Sequence, residues 1–247
     1  MPQFSDDLFL GSAVTDMGMN LGDPSPMSQG VGPLGRIYVW DVVPLTKQTN
    51  NVSAAATYTG GGTAVLAAGT GTTVATTAAG TRVIQLDCPR AVSITIGAGT
   101  ITDRAVTVTG FDVYAQPMSE VIQTGTTQST TVNGKKAFFQ VASVTVANTV
   151  GGTLAVGTSD ILGSPVRITT ADYVARSGWA GALADDAGTF VAAVTTTATT
   201  TSGDVRGTYV PSSAPNGTRR LVFGILLPAL AVGPNATRAG ALGVTQA

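Results

Sequence analysis

The chain has no histidine among its 247 residues, and so lacks the side chain that titrates nearest neutral pH and most often ligates metals. Histidine-based catalysis is thereby excluded. A single cysteine, Cys88, can form no intrachain disulfide, zinc cluster or resolving pair, which fits a reducing compartment or a fold that needs no covalent staples. Charge is scarce too, with 13 Lys plus Arg against 14 Asp plus Glu, a net charge of -1 and 11% charged residues, where an average domain has roughly 25%. Without a basic cluster larger than the pairs Lys135–Lys136 and Arg219–Arg220, nucleic acid is not expected as a partner, because neutralising phosphates takes Lys and Arg in number. The longest apolar run, residues 221–232, is broken by Gly224 and Pro228 and falls short of the roughly 20 residues of a membrane helix. No membrane partner is expected. Residues 1–10 contain Asp6 and Asp7 and lack both a basic start and a continuous apolar stretch, so they do not read as an export signal.

Small uncharged residues fill the place of the missing ones, with 31 Gly and 39 Thr. A folded chain of 24.7 kDa exposes about 10,000 Å² by the usual scaling, and its few charged residues cover that area thinly. Because interface cores are depleted of Lys, Glu and Asp, such a surface suits a protein that spends much of it on assembly.

Residues 1–35 hold four prolines and six glycines with no helical or strand period and read as an extended arm that needs a partner to supply its contacts. Its four acids, Asp6, Asp7, Asp16 and Asp23, are accompanied by no Lys or Arg. From Arg36 the run Ile37, Tyr38, Val39, Trp40, Val42, Val43 reads as a strand closed by Pro44. The Ala, Gly and Thr-rich stretch 45–81 reads as an insertion of small-residue hairpins with strands near 54–59 and 71–77, its rival being a flexible protruding lobe. Residues 81–169 alternate apolar and polar, as in Val92, Ile94, Ile96 and in Val106, Val108, and again over 138–146. Turns are expected at 97–99, 116–117, 133–134 and 151–152, the Asn133–Gly134 pair being a strong hairpin cue. Residues 172–184 are a place for one short helix, 189–194 and 205–210 for strands flanking a polar segment 195–203, and 219–227 for a last strand. The expected fold is all-β: an antiparallel sandwich or barrel over 36–169, a smaller β-rich domain with an extended tail over 170–247, and the N-terminal arm.

Catalytic constellations are absent. The acid pairs Asp6–Asp7 and Asp185–Asp186 have no base or metal partner in a motif. The glycine strings 60–62 and 69–71 lack the lysine of a phosphate loop. Hydroxyl nucleophiles have only Lys47, Lys135 or Lys136 as bases, and Asp103, Asp112, Asp160 and Asp172 lack calcium-loop spacing. The chain reads as non-enzymatic, with no cofactor and no metal.

Two groups of segments carry a family resemblance. Residues 86–94 (LDCPRAVSI), 106–120 (VTVTGFDVYAQPMSE), 134–138 (GKKAF) and 157–167 (GTSDILGSPVR) resemble a recurring block in structural proteins of tailed bacteriophages. Residues 195–228, centred on 202–209 (SGDVRGTY), resemble the ending of phage head decoration, or cement, proteins, in which a Thr-rich stretch leads through Gly-Asp-x-Arg-Gly to a final apolar strand. The resemblance implies a virion protein assembled in the bacterial cytoplasm, bound outside the head at junctions between major capsid proteins as a homotrimer or other small homo-oligomer. A tail, neck or fibre-attachment component is the structural alternative. A glycan-binding adhesive module is the alternative of another class, though only Trp40, Trp179 and five Tyr are available to stack on sugars. Arg206, Arg219, Arg220 and Arg238 follow the last acid, Asp204, which makes Arg206, Arg219 and Arg220 the expected partners of Asp6, Asp7, Asp16 and Asp23 on a neighbouring copy. For Arg206 the competing expectation is a bond to Asp204 that closes its own turn.

Overall fold

A computed structural model describes residues 37–168, 170–171, 174–194 and 203–226. The arm 1–35 with Asp6, Asp7, Asp16 and Asp23, the segment 195–202 and the tail after Pro228 lie outside the described residues. Strands form at β1 Ile37–Val42, β2 Ser53–Thr57, β3 Gly62–Thr63, β4 Thr72–Thr76, β5 Arg82–Gly99, β6 Ala105–Phe111, β7 Pro117–Gln123, β8 Thr130–Val146, β9 Gly152–Gly163, β10 Val174–Trp179, β11 Thr189–Val191, β12 Thr208–Val210 and β13 Leu221–Leu226. The fold is all-β. Ten strands make one curled antiparallel sheet in the order β11-β12-β9-β5-β8-β6-β7, with β2 on β9, β3 on β8 and β4 on β5, and β1-β13-β10 make a second sheet.

Three strands carry the large sheet: β5 with 18 residues, β8 with 17 and β9 with 12, where about 5–6 is usual. Strands this long must bend, and β5 does so where its register with β8 shifts between Gln85 and Arg90 and again between Ala91 and Ser93. Pro89, which has no N–H to give a ladder, falls in the first irregularity. Bending shares each long strand among several neighbours and brings Val92, Ile94, Ile96, Val106, Val108, Phe138, Val144 and Val156 into one core. A second core, under the small sheet, joins Cys88 and Leu162 to Tyr209, Leu221, Phe223 and Ile225. There Phe223 stacks on Trp40 at 5.0 Å and meets Tyr209 edge-on at 4.6 Å.

Four expectations change. Asn133–Gly134 is not a turn but lies inside β8, with Asn133 opposite Ser93; tertiary pairing overrides the local cue. Gly97 and Gly99 end β5 rather than forming a turn. No helix forms over the described part of 172–184, because Val174–Trp179 pairs with β13 and Gly181, at φ +85°, turns the chain where a helix could not continue. Within 45–81 only β4 makes a hairpin, with β5, through a turn at 77–81, whereas β2 and β3 pair with the distant β9 and β8. The strands also cross position 169 in both directions: β1 pairs with β13, and β12 pairs with β9. Ile37 stands opposite Leu226, so the chain enters and leaves the small sheet at one corner.

Phe223 is 1% exposed and joins the small sheet to the large one through Tyr209. Phe223→Ala is expected to cost about 3–5 kcal/mol, read as a lowered urea midpoint at unchanged slope.

Candidate functional site: a buried charge cluster beside an arginine-bearing surface

The chain's one glutamate, Glu120, sits at an inward position of β7 between Met118 and Ile122 and is 2% exposed. A buried carboxylate needs hydrogen-bond donors, and Glu120 takes the backbone N–H of Lys135 at 2.5 Å and of Lys136 at 3.3 Å. Gly134 makes this approach possible, since a Cβ there would lie 2.5 Å from the Glu120 carboxylate. The side chain thus ties edge strand β7 to β8 where no backbone ladder joins them. Lys136, next along β8, is also fully buried.

Asp204 closes the arrangement from the turn 203–207. One of its oxygens accepts the N–H of Arg206 at 2.8 Å and the other that of Ala137 at 2.9 Å, which fastens the turn to β8. The Arg206 guanidinium reaches past Asp204 to Asp112 at 2.5 Å and lies 4.8 Å from the centre of the Tyr114 ring. Asp112 in turn caps the β6–β7 turn by accepting the N–H groups of Tyr114 and Gln116 at 2.8 and 2.9 Å. The Tyr114 hydroxyl donates to Pro165 O at 2.7 Å, and Ile168 N donates to Arg206 O at 3.0 Å. A second pair, Arg90 with Asp87 at 3.3 Å, anchors Leu45: Arg90 donates to its carbonyl at 3.0 Å, and its N–H donates to Asp87 at 2.8 Å. Residues of four resemblance segments, 106–120, 134–138, 157–167 and the described part of 202–209, thus supply the bonds around Glu120, Asp112, Asp204 and Arg206, while 86–94 holds the separate Arg90–Asp87 pair.

Burial sets the protonation of these groups. It pushes Glu120 up to about 7, against the lowering effect of the Lys135 and Lys136 N–H groups and of both lysine charges. It pulls Lys136 down, against its attraction to Glu120 and Asp204. It pushes Cys88 up to about 12, so that thiol stays protonated and is no nucleophile. No group of three or more potential metal ligands forms among the described residues. Within the described residues, charges from β5, β7, β8, the β6–β7 turn and the 203–207 turn are thus answered by opposite charges or backbone N–H groups.

The three candidate arginines have different fates. Arg206 is 2% exposed and bound to Asp112, which corrects its assignment as a contact for the arm acids; its turn does close on Asp204, through the main chain rather than the guanidinium. Arg219 lies 4.2 Å from the centre of the Trp179 ring and donates to Ser213 Oγ and Ala214 O at 3.0 and 3.1 Å. Arg220 pairs with Asp41 of β1 through Nε at 3.1 Å and through its terminal nitrogen, and its side chain remains 58% exposed. Asp185 pairs with Arg176 at 2.6 Å. Asp186 accepts the Tyr209 hydroxyl at 2.6 Å and the Ser212 N–H at 2.8 Å, so neither member of that acid pair is merely solvated. Glu120 and Arg90 carry no motif in the sequence, and Lys136 and Asp112 stand out there only as a possible base and a possible calcium ligand, not as members of a buried cluster. The available signal was a Glu sharing strand parity with Met118 and Ile122.

Asp112→Asn leaves the Arg206 guanidinium buried without its counter-charge and is expected to cost about 3–5 kcal/mol. Adding Arg206→Met should recover part of that loss in urea unfolding. Since the Glu120 carboxyl is raised from 4.5 to about 7, the folded state holds its proton more tightly than the unfolded chain does. Its contribution to stability is therefore full below about 4.5 and lost as pH rises through about 7. Glu120→Gln should flatten the wild-type fall in unfolding free energy over that window.

No protein-family model, no curated protein and no solved structure matches the chain.

Proposed function

We propose that the chain is a non-enzymatic structural protein of a tailed-bacteriophage virion, a decoration or cement protein bound outside the head at junctions between major capsid proteins. The observation that supports this reading is that four of the resemblance segments supply the bonds of one buried charge cluster, where they act as a shared scaffold rather than as a reactive centre. Five arginines and lysines, Lys47, Arg90, Arg176, Arg206 and Arg220, are each tied to an aspartate of the same chain. Arg82 and Arg104 donate to the carbonyls of Leu66 and Thr149. With so much of the cationic charge engaged internally, the surface is left to Thr, Ser and Gly, which suits protein neighbours better than phosphates. Trp179 is buried beneath Arg219 and Trp40 stacks on Phe223, so both tryptophans serve the second core rather than a sugar platform.

In this reading the arm 1–35 runs along a neighbouring subunit and the oligomer clamps the expanded shell. Copy number tests it: quantitative mass spectrometry of purified particles should find hundreds of copies in simple ratio to the major capsid protein. A dozen or so would move the protein to the neck, tail or fibres, and absence from particles would overturn a virion role. Changing Asp6, Asp7, Asp16 and Asp23 together to Asn should lower occupancy on the head, most strongly at low salt, where exposed charges are least screened.

A further inference from the structure

We infer that the outer edge of β1 is a self-association edge, along which two copies of this chain pair their Ile37–Val42 strands antiparallel about a two-fold axis. An edge strand presents a row of unpaired N–H and C=O groups, and folds usually blunt it with lysine, proline, a bulge or a covering loop. The small sheet treats its two edges differently. At β10 the register shifts between Val174 and Arg176, Asp186 N donates to Ser177 O at 2.7 Å, and Ser177 N donates to the Asp185 carboxylate at 3.3 Å, so the loop 182–186 covers that edge. At β1 there is no lysine, no proline and no break in the register with β13. Among the described residues no strand pairs with its outer side. Its one charge, Asp41, is held by Arg220, and Val39 is 68% exposed.

Two features of the chain name a second copy as the occupant. The first is side-chain parity: Trp40 and Val42 face the second core, whereas Val39 and Asp41 lie on the other face of the strand. Cross-strand partners share a face, so a two-fold must pair residues of like parity, and setting Val39 opposite Val39 places Tyr38 beside Trp40 of the other copy. The second is charge. The 35 residues before Arg36 contain four acids and no base, and antiparallel pairing carries them past the Val42 end of the other copy. There Leu221 stands opposite Val42, directly after Arg219 and Arg220. A six-residue edge alone falls short of the roughly 1,200 Å² of a stable interface, and the opposite charges of the two flanking sequences favour a second copy over an unrelated partner. This edge pairing does not depend on the virion reading.

Sedimentation equilibrium of the purified full chain at micromolar concentration tests the inference. The wild type should sediment as two chains and Val39→Lys, which sets two like charges face to face, as one. Val65→Lys, at an 82% exposed site away from β1, should remain two chains. Val39→Cys supplies a readout independent of any loss of stability: mild oxidation should link two copies through residue 39, while the buried, protonated thiol of Cys88 stays unreacted. A monomeric wild type, a Val39→Lys protein that still pairs, or a Val39→Cys protein that does not cross-link would each overturn the assignment.

Discussion

Everything in this fold hangs on charges that have been taken out of water and must be answered where they lie. Arg206 with Asp112, Arg90 beside Asp87, and Glu120 beside Lys136 place five charged groups, all but Asp87, within a few per cent of full burial, where an uncompensated charge is far more costly than at the surface. For Arg206 and Glu120 the answer comes from a distant part of the chain. Satisfying the ions therefore fixes how the β6–β7 turn, the bend of β8 and the 203–207 turn sit against one another. Apolar packing alone, being non-directional, would leave that arrangement less specified.

The same economy explains the surface. A chain with 11% charged residues that commits several of them to internal bonds has little left for solvent, and threonine takes their place on the outward face of the strands. Thr95 bonds Thr131 at 2.9 Å and Thr109 bonds Ser143 at 2.7 Å across neighbouring strands. These hydroxyl pairs satisfy one another across the strands, and the threonines among them put a β-branched residue at an outward position, which the pleated backbone favours.

Strand content was legible wherever β-branched residues ran together, as in Ile37–Val42, Thr72–Thr76 and Leu221–Leu226, and the turns before Pro117 and Gly152 stand where local residues put them. What could not be read was set by partners far away in the chain. Asn133–Gly134 carries every local mark of a tight turn, yet Gly134 lacks a side chain because Glu120 needs the room, a requirement visible only after β7 folds onto β8. The Gly-Asp-x-Arg-Gly turn likewise suggested an arginine bonded within its own loop, and only the arrival of Asp112 redirects the guanidinium. Pairing of β1 with β13 joins the two ends of the described chain, which no window of neighbouring residues could signal.

That pairing has a mechanical consequence. Because Ile37 stands opposite Leu226, the polypeptide enters β1 and leaves β13 at the same corner. Tension that draws the two flanking segments apart peels the ladder open one residue pair at a time, starting at that corner. Tension that pulls both in one direction instead loads the two strands together, as a single unit held by β10 and by the Trp40–Phe223–Tyr209 stack. The direction of an applied force, rather than its size alone, thus decides whether the small sheet unzips or holds.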